Sequence, residues 1–207
     1  MVKFKSLVNG IGGLEETKKY YDQWSDKYDL NLNKWKYTVP KKAIKLLIRK
    51  LEYKPKKILD LACGTGLFGE ELIRAYKKSQ IYGSDISKKS LMIAKKKNIY
   101  KKLTKIDFEK KKFYKSKFNL VSMIGAMTYC NNFNKLFFNI NFYLSKKGYF
   151  IFSHRTDLWD KQEFYKVLDR FKVDFNIDYI SRPCNYLPLN KDFKNKIKIR
   201  LVLLKKN

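Results

Sequence analysis

A chain of 207 residues is long enough for one domain with a full hydrophobic core, and its formal net charge at pH 7 is +28. No stretch reaches the roughly 18 consecutive apolar residues of a membrane span, and the first ten residues lack the apolar core of a signal peptide. The three cysteines include no Cys-x-x-Cys pair, which predicts a reducing cytoplasm and no metal site.

The positive charge has two explanations. One is a basic surface that binds an acidic partner such as RNA. The other is a genome rich in A and T, because the chain carries 41 Lys against 6 Arg and is also rich in Asn, Ile, Tyr and Phe. The lysines are spread over almost every helix end and loop, and proteins that read bases depend on Arg for bidentate contacts. The composition therefore favours codon bias, with nucleic acid kept as an alternative partner.

The N-terminal part of the chain predicts two helices. The first follows an irregular lead-in over residues 1–13, and it carries Tyr21, Trp24 and Tyr28 at helical spacing. This aromatic stripe either docks the helix on the core or forms a lid over a ligand. The second helix is expected over residues 40–51, because a proline stands at its start, where the missing N–H costs nothing.

An apolar strand, residues 58–61, runs into a glycine-rich turn and then a helix. Gly64-x-Gly66-x-x-Gly69 fits the dinucleotide-binding pattern, and Asp85 lies about twenty residues further on, as a ribose-binding acid does. Glycines let the backbone approach a ligand where a side chain would block it. The spacing alone fits NAD, and S-adenosylmethionine is the competing cofactor.

Asp60 distinguishes the two cofactors. It ends the strand four residues before the turn, so its carboxylate is expected near the ligand. A dinucleotide places a pyrophosphate there, which an unpaired carboxylate repels. S-adenosylmethionine has no phosphate and carries an ammonium beside a sulfonium. The residue pattern therefore predicts S-adenosylmethionine, contacted by Asp60 and by the turn residues Ala62, Cys63, Gly64 and Gly66.

The second predicted strand, residues 80–85, ends at the next acid of the site. The carboxylate of Asp85 is expected to accept hydrogen bonds from both ribose hydroxyls. The residue that follows, Ile86, is expected to lie against the adenine. Ser87 then fits the N-cap of a helix over residues 88–97.

Two more strands complete the first half of the sheet. The third, around residues 99–103, is followed by Asp107 and Phe108, which suit the adenine amino group and ring. A plain turn acid is the alternative interpretation of Asp107. The fourth strand, residues 118–124, ends at Ile124 and continues into small residues that can line a cavity. We expect Ile124 to contact the cofactor.

The last third of the chain predicts helices over residues 134–144 and 161–171, with a strand over residues 149–153 between them. Residues 172–180 and 196–204 then predict two antiparallel strands that close the sheet. Strands that alternate with helices are typical of a doubly wound parallel sheet, where ligands bind beyond the carboxyl ends of the strands.

Together these motifs resemble the class I S-adenosylmethionine-dependent methyltransferases. The resemblance narrows to the Williams–Beuren-region methyltransferase-like family at Tyr-Asp-Gln-Trp-Ser-Asp-Lys-Tyr-Asp (21–29), at Trp-Lys-Tyr (35–37) and at His-Arg-Thr-Asp (154–157). The sequence departs from that family after the fourth strand, where Met127-Thr128-Tyr129 replaces a Gly-His pair. Histidine chemistry at that position is therefore not expected.

The resemblance implies an α/β, Rossmann-like fold with a seven-stranded, mostly parallel sheet. It also implies an antiparallel last strand, helices on both faces and an N-terminal helical lid. The lid, residues 1–52, precedes a methyltransferase domain over residues 53–207. In the lid interpretation, Tyr28 covers the sulfonium by cation–π attraction.

The chemistry of methyl transfer suggests further site residues. The only histidine, His154, is expected at the tip of the fifth strand, where it either acts as a base or packs and caps the strand end. Arg155 beside it suits a carboxylate or phosphate of the substrate. Tyr129 and Trp159 are candidates for the wall of the substrate site.

The sequence thus predicts a methyltransferase that acts on an O or N nucleophile of a small molecule. A basic surface that binds RNA or another macromolecule is one alternative. A module that binds S-adenosylmethionine or a nucleotide without catalysis is the other, because the Gly-His pair is missing.

Overall fold

A single twisted sheet organises the fold in this computed structural model, which describes residue 7 and residues 12–112, 114, 116–193 and 196–207. The strands run in the spatial order β3-β2-β1-β4-β5-β8-β6, and the short β7 also pairs with β8. Their bounds are β1 Lys57–Leu61, β2 Gln80–Asp85, β3 Tyr100–Lys105, β4 Phe118–Met123, β5 Leu144–Arg155, β6 Phe175–Ile180, β7 Cys184–Asn185 and β8 Lys198–Lys206.

The direction of the strands confirms the predicted class of sheet. The first five strands pair in parallel, while β8 lies antiparallel between β5 and β6. The sheet has eight strands rather than the predicted seven, because Cys184 and Asn185 add a two-residue pairing on β8. Of the two antiparallel strands predicted to close the sheet, β8 lies between β5 and β6, and β6 forms the edge.

Helices cover both faces of this sheet. Their bounds are α1 Leu14–Lys34, α2 Val39–Lys50, α3 Leu67–Ala75, α4 Lys88–Lys96, α5 Phe133–Tyr143, α6 Thr156–Lys161 and α7 Phe164–Arg170. The helix predicted over residues 161–171 is present in a shorter form as α7, and α6 precedes it and ends at Lys161. Glu163, with φ +46°, separates the two helices. Most of the predicted irregular lead-in, residues 1–6 and 8–11, lies outside the described residues.

The core has one layer on each face of the sheet. Side chains alternate along a strand, so Leu59 of β1 packs on the face that carries α5, while its neighbour Ile58 packs on the face that carries α2 and α3. Leu47 of α2 is fully buried in the second layer. The predicted boundary at residue 52, between a helical extension and the main domain, stays a prediction.

The first helix lies apart from these two layers and packs against α4. Its residue Leu32 forms a smaller apolar cluster with Leu187, Phe193 and Ile197, from the segment that leads into β8. Among the residues that the structure describes, no helix is both long and apolar enough to cross a lipid bilayer.

Candidate functional site

A cavity of about 320 Å³ opens at the carboxyl ends of β1, β2 and β4, where α1 covers it. Ligands bind at this edge in doubly wound sheets, and the volume lies within the range of small-molecule sites, about 300–1,000 Å³. Nine of the predicted residues line it, namely Ala62, Gly64, Asp85, Ile86, Asp107, Phe108, Ile124, Tyr28 and Tyr129.

The turn after β1 presents bare backbone to the cavity. Gly64 has φ +55°, and a Cβ on it would meet no atom within 4 Å. Its N–H donates to Oδ2 of Asp85 at 2.8 Å, and the N–H of Ser87 donates to Oδ1 at 2.8 Å. Burial raises the pKa of Asp85 to about 6. Two backbone donors thus orient a carboxylate that also lines the cavity.

The remaining glycines of the motif make room for a side chain of the protein. A Cβ on Gly66 would lie 3.2 Å from Cε2 of Tyr100, and a Cβ on Gly69 would overlap the Tyr100 hydroxyl and lie 2.6 Å from Cζ. Neither Gly66 nor Cys63, both predicted to contact the cofactor, is among the residues that line the cavity, and these two contacts stay predictions. Gly66 faces Tyr100, and the buried Cys63 donates its N–H to the carbonyl of Ser84 at 2.9 Å.

Asp60 is the largest departure from the sequence argument. Its side chain is only 1% exposed and is not among those that line the cavity. The Tyr100 hydroxyl donates to Oδ2 at 2.9 Å, and the Ser122 hydroxyl donates to Oδ1 at 2.8 Å. Burial raises the pKa of Asp60 to about 7, against these two hydrogen bonds, which lower it. The Asp60 side chain is therefore held inside the core by residues of β3 and β4.

One end of the cavity is formed by residues that follow β2 and β3. Ile86 and Phe108 give it apolar walls, and Asp107 gives it a second carboxylate. Asp107 also accepts the N–H of Glu109 at 2.9 Å, as an acid in a turn does. Asp107 therefore both closes a turn and lines the cavity, so the turn and the ligand-site interpretations of this residue are compatible.

The opposite end of the cavity is formed by β4 and α1. Ile124 and Gly125 follow β4, and three tyrosines, Tyr21, Tyr28 and Tyr129, complete the wall. The hydroxyl oxygens of Tyr21 and Tyr129 are hydrogen-bonded at 2.8 Å. Burial raises the pKa of all three phenols well above the usual value, so they are neutral at pH 7.

His154 lies one residue before the end of β5, close to the predicted place, but it is not among the residues that line the cavity. The strand β5 continues to Arg155, and His154 is 1% exposed where β5 pairs with β8. Its Nε2 hydrogen-bonds to Oε1 of Gln162 at 3.0 Å, and its ring centroid lies 4.5 Å from that of Phe164. Burial lowers its pKa to about 4. A packed core histidine is the interpretation that fits this placement.

Arg155 and Trp159, predicted to contact the substrate, also lie outside the cavity lining. Arg155 is 3% exposed and pairs with Asp157, with Nη2 2.5 Å from Oδ2. Its Nη1 donates to the carbonyl of Leu7 at 2.9 Å. Trp159 is 1% exposed and packs under the guanidinium of Arg200. Pairing and burial thus explain why neither side chain reaches the site.

The sequence argument missed part of the lining. Thr65 belongs to the glycine motif and could have been found there, since its hydroxyl both lines the cavity and donates to Asp29 of α1. Tyr21 lies two helical turns before Tyr28 on the same face, so its spacing was a usable signal. Leu14 and Thr17 carry no local signal, because only the docking of α1 brings them to the cavity.

The residues present fit S-adenosylmethionine. Gly64 carries no side chain and has open space beside it, so a ligand can come close to its backbone. The carboxylate oxygens of Asp85 line the same cavity and can accept hydrogen bonds from ribose hydroxyls. Ile86 and Phe108 provide apolar surfaces for an adenine. Within the described residues, no group of three or more His, Cys, Asp and Glu side chains is placed to hold a metal ion.

Comparisons with known proteins agree with this fit. The fold is similar to the plantazolicin methyltransferase BpumL, solved in complex with SAH, with a TM-score of 0.66 and 14% identity over 92% of this chain and 91% of that one. Malonyl-[acyl-carrier protein] O-methyltransferase of Legionella pneumophila is 32% identical over 113 residues, 52% of this chain and 40% of the relative.

Human Methyltransferase-like protein 27 is 35% identical over 99 residues, 47% of this chain and 40% of the relative, and this match covers the narrower resemblance in part. The chain thus spans about 40% of the length of the two curated relatives. A family model described as a methyltransferase domain matches residues 53–192, two thirds of the chain. The chain therefore belongs to the class I methyltransferase family, whose cofactor is S-adenosylmethionine.

Proposed function

We propose that this protein transfers the methyl group of S-adenosylmethionine to an O or N atom of a small molecule. The pairing of the open turn at Gly64 with the oriented carboxylate of Asp85 carries the proposal. A small acceptor is supported by the name of the structural neighbour, a plantazolicin methyltransferase. An O atom is supported by the name of the Legionella relative, malonyl-[acyl-carrier protein] O-methyltransferase, whose acceptor group is attached to a carrier protein.

Each end of the cavity has a separate task in this proposal. Asp85 accepts hydrogen bonds from the ribose hydroxyls, while Ile86 and Phe108 hold the adenine between them. Tyr21 and Tyr28 of α1 close over the sulfonium and attract it through their ring faces. The cofactor supplies an activated methyl group, so the contribution of the protein is mainly position, which is worth about 7–11 kcal/mol in oriented reactions.

Calorimetry with S-adenosylhomocysteine tests the cofactor assignment. Asp85→Asn removes a charged acceptor, so we expect about 10- to 100-fold weaker binding, as for the loss of hydrogen bonds to a charged group. Asp169→Asn is the matched control, because Asp169 is exposed and pairs only locally with Lys172. Binding of NAD in place of S-adenosylhomocysteine, or equal affinities of the two variants, would contradict the proposal.

An RNA acceptor is the second candidate function, and the net charge of +28 favours it. Binding that rests on phosphate contacts falls steeply between about 50 and 200 mM salt. Titration of a fluorescent single-stranded RNA at several salt concentrations separates the candidates. A steep fall supports RNA, whereas absent or salt-independent binding leaves the small-molecule acceptor. A module without turnover is the third candidate. Binding of S-adenosylmethionine without methyl transfer to any acceptor would support it.

We also propose a cytoplasmic location, which the three free cysteines support. Fluorescence microscopy of the tagged full chain in cells tests it directly.

A further inference from the structure

The two ends of the cavity differ in the proton chemistry that they can perform. The end beside β2 and β3 carries two carboxylates, Asp85 and Asp107. The end beside β4 and α1 is lined instead by hydroxyl and amide side chains, among them Tyr21, Tyr129 and Asn131. In the proposed function the adenosine takes the first end, so the methyl acceptor approaches the second.

The phenols at the second end donate hydrogen bonds and do not accept protons. Burial keeps Tyr21 and Tyr129 neutral by raising the pKa of each phenol. Their two oxygens lie 2.8 Å apart, and a single hydrogen occupies that contact. The hydrogen of the other hydroxyl is therefore available to an acceptor atom in the cavity.

The acids nearest this end are engaged with other groups, and the histidine is buried. Glu109 accepts the N–H of Asn131 at 2.6 Å and that of Asn132 at 3.1 Å. His154 lies in the core with a pKa lowered to about 4, and Asp60 is only 1% exposed and outside the cavity lining. Asp22 accepts the hydroxyl hydrogen of Ser87 at 2.6 Å, and Asp29 pairs with Lys97 at 2.8 Å. The residues outside the described ranges include no His, Asp or Glu in the sequence.

The charge of the protein as a whole favours an anion at this end, whereas Arg155 adds little locally, because it is ion-paired with Asp157 at 2.5 Å. The net charge of +28 adds a long-range attraction for anions at low salt.

We infer that the acceptor atom is a carboxylate oxygen, held by the one free hydroxyl hydrogen of the Tyr21–Tyr129 pair. This inference rests on the proposed function and names its substrate class. A carboxylate has already lost its proton at pH 7, whereas an alcohol would need a base that this end does not offer. A lone pair of the carboxylate oxygen forms the new O–CH₃ bond as the C–S bond breaks, and that electron pair stays on sulfur. A methyl ester and S-adenosylhomocysteine result, and no proton moves.

Binding of benzoate to the protein saturated with S-adenosylhomocysteine tests the inference. Benzamide is the uncharged probe of the same shape, and calorimetry gives both affinities. We expect benzoate to bind about tenfold tighter or more, because hydrogen bonds to a charged acceptor are stronger than those to a neutral one. The double variant Tyr21→Phe/Tyr129→Phe is expected to lose that preference and to keep its affinity for benzamide.

Tyr76→Phe is the matched control, because its hydroxyl is buried without a hydrogen-bond partner and lies outside the cavity lining. It is expected to keep the preference for benzoate. Equal affinities for the two probes, or no binding of benzoate at millimolar concentration, would overturn the carboxylate assignment. Failure of S-adenosylhomocysteine to bind would instead overturn the proposed function, so the two failures are distinct.

A second measurement examines the product. Protein given S-adenosylmethionine with a labelled methyl group and a panel of small carboxylic acids is expected to form products that release labelled methanol in mild alkali, as methyl esters do. Matched alcohols and amines serve as the comparison. Transfer to alcohols or amines with none to the acids would overturn the inference.

Discussion

The two walls of the cavity are held in different ways. The sheet wall, formed by the turns after β1 and β2, is fixed by backbone pairs, such as Cys63 N–H to the carbonyl of Ser84 at 2.9 Å, and by the backbone N–H groups of Gly64 and Ser87, which donate to the carboxylate of Asp85. The helical wall, formed by α1, is held by side chains, with Asp22 on Ser87 and Asp29 on Thr65 and Lys97. A wall built by backbone pairing is rigid, whereas one attached by side chains can be loosened without unfolding the protein.

The largest effect is expected where the sheet wall meets the core. Gly69→Ala places a Cβ against the ring of Tyr100, which holds Asp60. Overpacking and the loss of that hydrogen bond together predict about 2–4 kcal/mol of lost stability, measured by urea unfolding. Gly64→Ala is the matched control, because its Cβ meets open space and only the positive φ opposes it. Adding Tyr100→Leu to Gly69→Ala is expected to restore part of the loss. Unchanged stability of Gly69→Ala would contradict this prediction, because it would mean that the Tyr100 ring moves aside at little cost.

A pH effect is expected next, and it also concerns the sheet wall. The pKa of Asp60 is about 7 in the folded protein and near 3.8 when unfolded, so the folded state binds the extra proton. Stability therefore falls as pH rises from about 4 to about 8, by on the order of 2–4 kcal/mol. Asp85, with a folded pKa of about 6, acts in the same direction.

Unfolding in urea at pH 5 and pH 8 measures this effect, and Asp60→Asn is expected to reduce it by more than half. The same dependence on pH in wild type and in Asp60→Asn would show that Asp60 does not carry the effect.

A smaller effect is expected at the helical wall. Asp22→Asn with Asp29→Asn weakens the attachments of α1, which are partly exposed, so stability is expected to fall by about 1 kcal/mol or less. The affinity for S-adenosylhomocysteine is expected to fall about 3- to 10-fold, because the helix that covers the cavity loosens.

Hydrogen exchange of α1 with and without ligand measures this loosening, and Glu163→Gln on the far side of the molecule is the control. Unchanged exchange in α1 would mean that its apolar packing on Phe193 and Leu187 is sufficient to hold it.

The smallest effect on ligand binding is expected at His154, which belongs to neither wall. His154→Gln keeps a polar side chain near Gln162 and removes the imidazole. Methyl transfer and S-adenosylhomocysteine affinity are expected to change less than about twofold, while stability falls by about 1–2 kcal/mol, because a packed ring is lost. A loss of methyl transfer with unchanged binding of S-adenosylhomocysteine would instead indicate that His154 takes part in the reaction.

The sequence was most informative about residues that follow the ends of neighbouring strands, and least informative about groups that only the packing of distant segments brings together. Ala62, Gly64, Asp85 and Ile86 follow consecutive strands, so strand order alone brings them to one edge. The direction of a side chain at a strand end was harder. Asp60 was expected at the ligand and is directed into the core, because Tyr100 and Ser122 from other strands provide its partners.

By itself the sequence determined the class of sheet and the family, and it predicted the glycine turn and Asp85 at one edge of the sheet, because short-range patterns and strand order specify these features. Tertiary structure decided which end of the cavity has a base, since that depends on long-range packing. The docking of α1 brought Tyr21 to Tyr129, and the extension of β5 to Arg155 buried His154. Burial then set the charge of each group, because removal from water determines whether an acid or a base stays ionised.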